Sequence, residues 1–322
     1  MMTETIRNIV EAIRESRNAL VVSHEGPDGD AVGSSLGLAA FLRAIGKEVV
    51  VHLADPVPEL YRFLPGADLV TAVIPDRDFD LAFVLDVGEF RRAGQQFCSF
   101  GRIGRIINLD HHLTCEQFGF INLIDVEAAA TANLVWRVAA AYGFSPDYAT
   151  ALCLYVGILT DTGSFRYSNA NREAFTVAGE LLEAGGFTAW DVSEKLYESQ
   201  PRKRLELLVR ALPTLEFIRN GQAASLTVTT EMYAATGADA ELTDGFVNYP
   251  RSVQGVEVAI FFRQLDERRF KVGFRSKGAV NVATIARQFG GGGHHNAAGG
   301  IVEGTLDEVK RIVYGAVESI QW

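Results

Sequence analysis

Cysteine, methionine and tryptophan occur only three times each in these 322 residues, and positive charge is in deficit, with 30 Lys and Arg against 40 Asp and Glu and a net charge of −10. Cys98, Cys115 and Cys153 are odd in number and show no Cys-x-x-Cys spacing. They read as reduced thiols in a cytosolic protein. No apolar run approaches the roughly 18 residues that a membrane span requires. Met1 to Ile13 is polar and amphipathic, unlike a signal peptide. The expectation is a soluble, cytoplasmic chain with no membrane contact. The acidic balance argues against non-specific binding along a long polyphosphate chain, where counterion release rewards a basic stripe. A small anionic ligand in a local basic pocket remains compatible with it.

Hydrophobic residues make up 48% of the chain, enough to bury substantial cores. The length suggests two domains. Five of the six histidines fall in three short clusters: His24-Glu25-Gly26-Pro27-Asp28-Gly29-Asp30, Asp110-His111-His112, and Gly290-Gly291-Gly292-Gly293-His294-His295. Asp86 and Asp161 each close an apolar run. Imidazole with several carboxylates suits Mn²⁺, Mg²⁺ or Zn²⁺, and a carboxylate-rich set favours two hard ions sharing a bridging oxygen.

Apolar runs alternate with helical periodicity through the first half. The spacing predicts a helix over 3–17 behind a Thr3 cap, and strands at 18–24, 47–53, 80–86 and 105–112. Helices are expected at 31–46, 129–142 and 147–159. That alternation indicates right-handed βαβ units, hence an α/β domain with a parallel sheet and helices on both faces. His24, Asp86 and Asp110-His111-His112 all lie at the carboxyl ends of expected strands, where open α/β sheets collect their ligands. Residues 170–212 read as helical, the second half as a connector. Beyond Pro213 the period changes to two hairpins, the first turning at Asn220-Gly221. A helix (280–289), a glycine loop and a last helix (305–319) complete a smaller α+β domain with a mixed sheet. The expected organisation is a catalytic, metal-binding domain over 1–190, a helical linker over 191–212 and a substrate-binding domain over 213–322.

Each motif has an ordinary alternative. PDGD within SHEGPDGDAVGS is on its own a turn with helix-capping acids, but His24 at the preceding strand end points to a ligand cluster. Asp86, closing an all-apolar strand, is costly unless it meets a cation or a donor. Asp110 could orient a neighbouring ring by accepting its second N–H. Asp161, alone, reads as a loop or cap residue. FGGGGHHNAAGG could be a linker, yet four glycines let backbone N–H groups approach an anion closely. Arg263, Arg275, Ser276 and Lys277 just upstream concentrate donors suited to phosphate oxygens. Trp136, Trp190 and Phe165 are expected in the core rather than as base-stacking platforms.

Taken together, SHEGPDGDAVGS, LDVGEFRRAG, the Asp110-His111-His112 triplet, GILTDTGSFRYSN and GGGHHNAAG resemble the DHH phosphoesterase family across nearly the whole chain. Within it they are most similar to the short two-domain nano-RNase/pAp-phosphatase type. The resemblance implies hydrolysis of very short RNAs and linear dinucleotides to mononucleotides, and of 3′-phosphoadenosine 5′-phosphate (pAp) to AMP. It implies an active site in the cleft between the domains. It further implies two Mn²⁺ ions, or Mg²⁺ or another divalent ion, one held by His24, Asp28 and Asp86 and the other by Asp30, Asp86, His111 and Asp161. Asp110 would support His112, which would contact the scissile phosphate and protonate the leaving oxygen. Arg263, Arg275, Ser276, Gly291, Gly292, Gly293 and His294 would bind the substrate's other phosphate. No obligate protein partner is implied, and a homodimer is compatible with the sequence. One departure is visible: Thr131-Ala132-Asn133 carries Asn where many relatives have an acid. The alternatives are a single-strand exonuclease of the same chemistry, and a nucleotide sensor without turnover. The sensor reading predicts loss of a ligand, and every expected ligand is present.

Overall fold

The computed structural model describes residues 3–293 and 295–320. They fall into two units, Met1–Ser199 and Gln200–Trp322. In the first, α1 (Glu4–Glu15) starts where the Thr3 side chain accepts the Ile6 N–H, and it buries Ile6, Ile9, Val10 and Ile13. Six strands follow: β1 (Asn18–Val22), β2 (Glu48–His52), β3 (Val70–Thr71), β4 (Phe79–Leu85), β5 (Ile103–Asp110) and β6 (Ile121–Ile124). They form one sheet in the order β3-β2-β1-β4-β5-β6, every pairing parallel. Alternate residues of β1 and β4 enter two different cores. Val21 and Phe83 join one, Leu20 and Val84 the other. Burial on both faces is why these strands read as unbroken apolar runs. The chain direction across the sheet reverses between β1 and β4, which makes the carboxyl ends of these two strands a topological switch point.

The helices are α2 (Gly29–Ala44), α3 (Gln95–Cys98), α4 (Thr131–Tyr142), α5 (Tyr148–Asp161), α6 (Arg172–Gly185) and α7 (Ala189–Ser193). Helix α2 is buried along most of its length and presents Gly29, Gly33 and Gly37, four residues apart, to α5. A Cβ on Gly33 would lie 2.6 Å from the Cys153 carbonyl oxygen, and one on Gly29 would lie 2.3 Å from Thr160 Oγ1. Only glycine permits so close an approach. It sets the amino end of α2, with Asp28 and Asp30, beside the carboxyl end of α5, with Asp161.

The second unit contains α8 (Arg202–Ala211), β7 (Glu216–Ile218), β8 (Ala223–Val228), α9 (Thr230–Thr236), α10 (Asn248–Ser252), β9 (Val258–Gln264), β10 (Arg269–Ser276), α11 (Val282–Arg287), β11 (Gly292–Gly293), β12 (Ala297–Glu303) and α12 (Leu306–Ser319). Its sheet runs β11-β12-β10-β9-β8-β7, antiparallel except for the parallel β8–β9 pair, so it is mixed as expected. Val258, Ile260, Phe262, Phe270, Val272 and Phe274 pack in one core with Val309, Val313 and Val317 of α12. The alternate positions, including Arg263, Lys271 and Arg275, therefore share the opposite face.

The structure departs from the sequence reading at several elements. Strands β3, β6 and β11 and helices α3, α9 and α10 have no counterpart in the sequence reading; all are short, and too few residues carry a period. Strand β12 begins inside the glycine-rich string read as a loop, because Gly299 and Gly300 weaken the strand signal there. Residues 191–199 group with the first unit and 200–212 with the second. Trp190 is 60% exposed, not core, while Phe165 is half-buried and stacks on Phe175. No helix among the described residues is long and apolar enough to cross a membrane.

Candidate metal centre

His24 leaves the end of β1 and Asp86 the end of β4, so the switch point brings them together. His24 Nε2 lies 3.7 Å from Asp86 Oδ2 and 3.9 Å from Asp28 Oδ1. His111 follows β5, and its Nε2 lies 3.5 Å from Asp86 Oδ1 and 3.7 Å from Asp161 Oδ2. These gaps exceed a hydrogen bond of roughly 2.7–3.2 Å. They suit ligand atoms that share an ion at about 2.0–2.2 Å from each. Three groups each have their ligand atoms within 4.8 Å of one another: His24-Asp28-Asp86, Asp30-His111-Asp161 and Asp86-His111-His112. Asp86 thus offers one oxygen to each side. All six sequence-derived ligands, His24, Asp28, Asp30, Asp86, His111 and Asp161, converge here.

The rings are held by their other nitrogen. His24 Nδ1 donates to the Glu25 carbonyl at 2.9 Å and His111 Nδ1 to the Ala128 carbonyl at 3.1 Å, which orients both rings with Nε2 toward the carboxylates. Asp110 is fully buried and falls in none of these three groups. Its Oδ1 accepts the His112 N–H and Nδ1, both at 2.7 Å, and its Oδ2 accepts the Gly88 N–H at 2.6 Å. That locks the His112 ring with Nε2 turned away from Asp110.

Asp86 occupies a left-handed backbone conformation with φ 60°. Such a conformation costs about 1 kcal/mol or more in a non-glycine residue and concentrates at functional sites. Its N–H is held by the Leu109 carbonyl at 3.0 Å. Asp28 caps α2, accepting the N–H groups of Asp30 and Ala31. Asp30, fully buried, accepts two N–H groups from the start of α4.

The electrostatics are those of a cation site. Burial alone would lower the His24 pKa, yet Asp86 and Asp28 raise it to about 9. Burial opposes the His111 charge too, but Asp86, Asp161 and Asp30 hold its pKa well above the usual range. Burial pushes Asp86 upward, and the facing histidines pull it well below an ordinary carboxylate. Burial and then Asp86 and Asp161 drive Asp30 well upward, and burial raises Asp161 to about 6. A divalent cation among these carboxylates would relieve the same charge repulsion.

Two contributors were missed from the sequence. Thr131 Oγ1 donates to Asp86 Oδ1 at 3.1 Å. Asn169 Nδ2 donates to Asp161 Oδ2 at 3.2 Å and also to the Asp161 and Ala129 carbonyls. Both fall in strings that the sequence singles out, Thr131-Ala132-Asn133 and GILTDTGSFRYSN, but neither stands at a strand end and nothing local assigns them a carboxylate. Asn133, at the position where an acid was expected, is fully buried, and its side-chain amide has no hydrogen-bond partner among the described residues.

In the second unit, Arg263 and Arg275 are half-buried on one sheet face. Ser276 is buried, its hydroxyl donating to Asn296 Oδ1 at 3.0 Å. The glycines answer first to packing. A Cβ on Gly291 would lie 2.1 Å from the Gly299 carbonyl oxygen, and one on Gly293 would lie 2.4 Å from that of Ala297. Gly292 pairs with Gly299 and Gly293 with Ala298. The Gly290 and Gly291 N–H groups close the end of α11 on Arg287 and Ala286. His294 lies outside the described residues.

Residues 18–158 match the DHH family, N-terminal domain, and residues 223–319 match the DHHA1 domain. The bifunctional oligoribonuclease and PAP phosphatase NrnA of Thermus thermophilus is 36% identical over 317 residues, covering 98% of this chain and 94% of that protein. Its Bacillus subtilis namesake is 27% identical over 97% of this chain and 96% of its own. The crystal structure of an exopolyphosphatase-related protein from Bacteroides fragilis has a TM-score of 0.89 at 30% identity, covering 98% of this chain and 95% of that one. Two domain types in order, and a relative matched almost end to end, make the chain a member of the DHH phosphoesterase family.

Proposed function

We propose that this protein is a metal-dependent phosphoesterase that cleaves very short oligoribonucleotides and linear dinucleotides to mononucleotides and converts pAp to AMP. The observation that carries the reading is Asp86, whose two oxygens face separate imidazole–carboxylate sets at the switch point of a parallel sheet. The substrate class follows the names of the Thermus and Bacillus relatives. His24, Asp28 and Asp86 would hold one Mn²⁺, and Asp30, Asp86, His111 and Asp161 a second. Oxygen-rich donors with one imidazole each also suit Mg²⁺ or another divalent ion. Two such ions, when bound, lower the pKa of a shared water and neutralise charge on the phosphate.

The chain's own residues then do the rest. Asp110, with both oxygens engaged, keeps His112 Nδ1 as donor and stabilises the ring when it is protonated. His112 Nε2 would carry the proton given to the leaving oxygen as the P–O bond breaks. Arg263 and Arg275 would hold the substrate's second phosphate, supported by Ser276, Gly291, Gly292, Gly293 and His294.

The test is product chromatography after incubating Mn²⁺-loaded protein with pApA, pAp and an RNA of about 20 nucleotides, with EDTA controls. The expected result is EDTA-sensitive release of AMP from the two small substrates with the long RNA nearly intact. Rapid loss of the long RNA would favour a single-strand exonuclease, and no turnover would favour a nucleotide sensor.

A further inference from the structure

Helix α4 begins without a cap of its own. Its N-cap residue is Ala130, which has no polar side chain. The place is filled by Asp30, which reaches across from α2. Asp30 Oδ2 accepts the Thr131 N–H at 2.6 Å and Oδ1 accepts the Ala132 N–H at 3.0 Å. Thr131 is fully buried, and its hydroxyl donates to Asp86 Oδ1 at 3.1 Å. That is the same oxygen that faces His111 Nε2 at 3.5 Å.

One residue thus grips two carboxylates by two different groups. Its backbone grips Asp30, and its side chain grips Asp86. A carboxylate oxygen has two lone-pair directions, so a donor on one leaves the other for a cation. Asp86 can otherwise turn about its terminal torsion, which is broad. A fixed donor on Oδ1 removes that freedom and keeps one oxygen on each side of the centre.

We infer that Thr131 is a positioning residue that sets the orientation of the shared carboxylate Asp86 while the start of α4 anchors Asp30. The inference rests on the two-ion reading of the site. Partners that hold a ligand in place contribute tenfold to a hundredfold in metal affinity. Thr131→Val preserves shape and the backbone N–H to Asp30 and removes only the hydroxyl. Thr131→Ser restores it.

Mn²⁺ binding would be titrated by electron paramagnetic resonance and calorimetry, beside thermal unfolding in EDTA and kinetics at saturating Mn²⁺. The valine variant should bind Mn²⁺ about tenfold to a hundredfold more weakly, with the substrate KM at saturating metal unchanged. The serine variant should bind within about threefold of wild type, since it keeps the donor. Equal affinity in wild type and the valine variant would overturn the role of Thr131. So would a serine variant as weak as the valine one, because shape rather than the hydroxyl would then matter. Wild type that binds no Mn²⁺ would overturn the two-ion reading and this inference with it. Thr131→Ala provides the same comparison should valine prevent folding.

Discussion

Asp86→Asn is the most informative single change. Asparagine keeps the size of the side chain and tolerates the left-handed backbone at φ 60°, where alanine would add strain. What it removes is the charge that faces His24 on one oxygen and His111 on the other. Asp86 is only 3% exposed, so solvent cannot replace that charge. A unit pair about 4 Å apart at an effective dielectric near 20 is worth about 4 kcal/mol. At 1.36 kcal/mol per decade, that corresponds to about a thousandfold. Because the carboxylate serves both sets, calorimetry should find Mn²⁺ affinity reduced by at least this factor. AMP release from pApA should fall by at least as much, with circular dichroism unchanged. A variant that binds two Mn²⁺ ions as tightly as wild type and retains activity within about tenfold would refute the sharing of Asp86.

Asp110→Asn removes the charge beside His112 and sets an amide N–H against either the Gly88 N–H or the His112 Nδ1, and kcat should drop by about 10²–10⁴ with little change in KM. A parallel loss in KM would mean that Asp110 serves binding instead. Gly33→Val drives a side chain into the Cys153 carbonyl and the Gly157 backbone, so α2 and α5 must separate. Chemical denaturation should show a loss of about 1–3 kcal/mol, together with weakened metal binding as Asp28 and Asp30 move from Asp161. Undiminished stability would refute the contact. The chelated protein should also lose stability in alkali. His24 is raised to about 9 in the folded state, so its contribution is complete below the ordinary value of 6.5 and is lost as pH rises through 9. The full loss is at most about 3 kcal/mol, read as a falling unfolding temperature in EDTA. A flat profile across that window would count against the His24–Asp86 contact.

Much of this protein is legible from its residues alone. Apolar runs ending in His24, Asp86 and Asp110 are readable because strands buried on both faces leave no alternation, and an acid or imidazole at their end breaks the run sharply. The change of period after Pro213 and the Asn220-Gly221 hairpin follow from the same local chemistry, whereas the six candidate ligands that cluster here were implied by the family resemblance. Other features depend on contacts between segments far apart in the chain. Thr131 and Asn169 look like ordinary polar residues, and only the meeting of α4 with β4, and of the 162–169 loop with α5, gives them carboxylates to hold. The left-handed turn at Asp86 has no sequence signature, since glycine is the usual marker for it. The glycines of the 290–300 string look like an anion-binding loop, yet Gly291 and Gly293 are required by the approach of the paired β12 strand. Local sequence determined which groups could bind a cation, because burial and charge are properties of each residue and its neighbours in the chain. Which oxygen faces which ring was decided only when the sheet reversed direction between β1 and β4, because that reversal alone brings their two ends together.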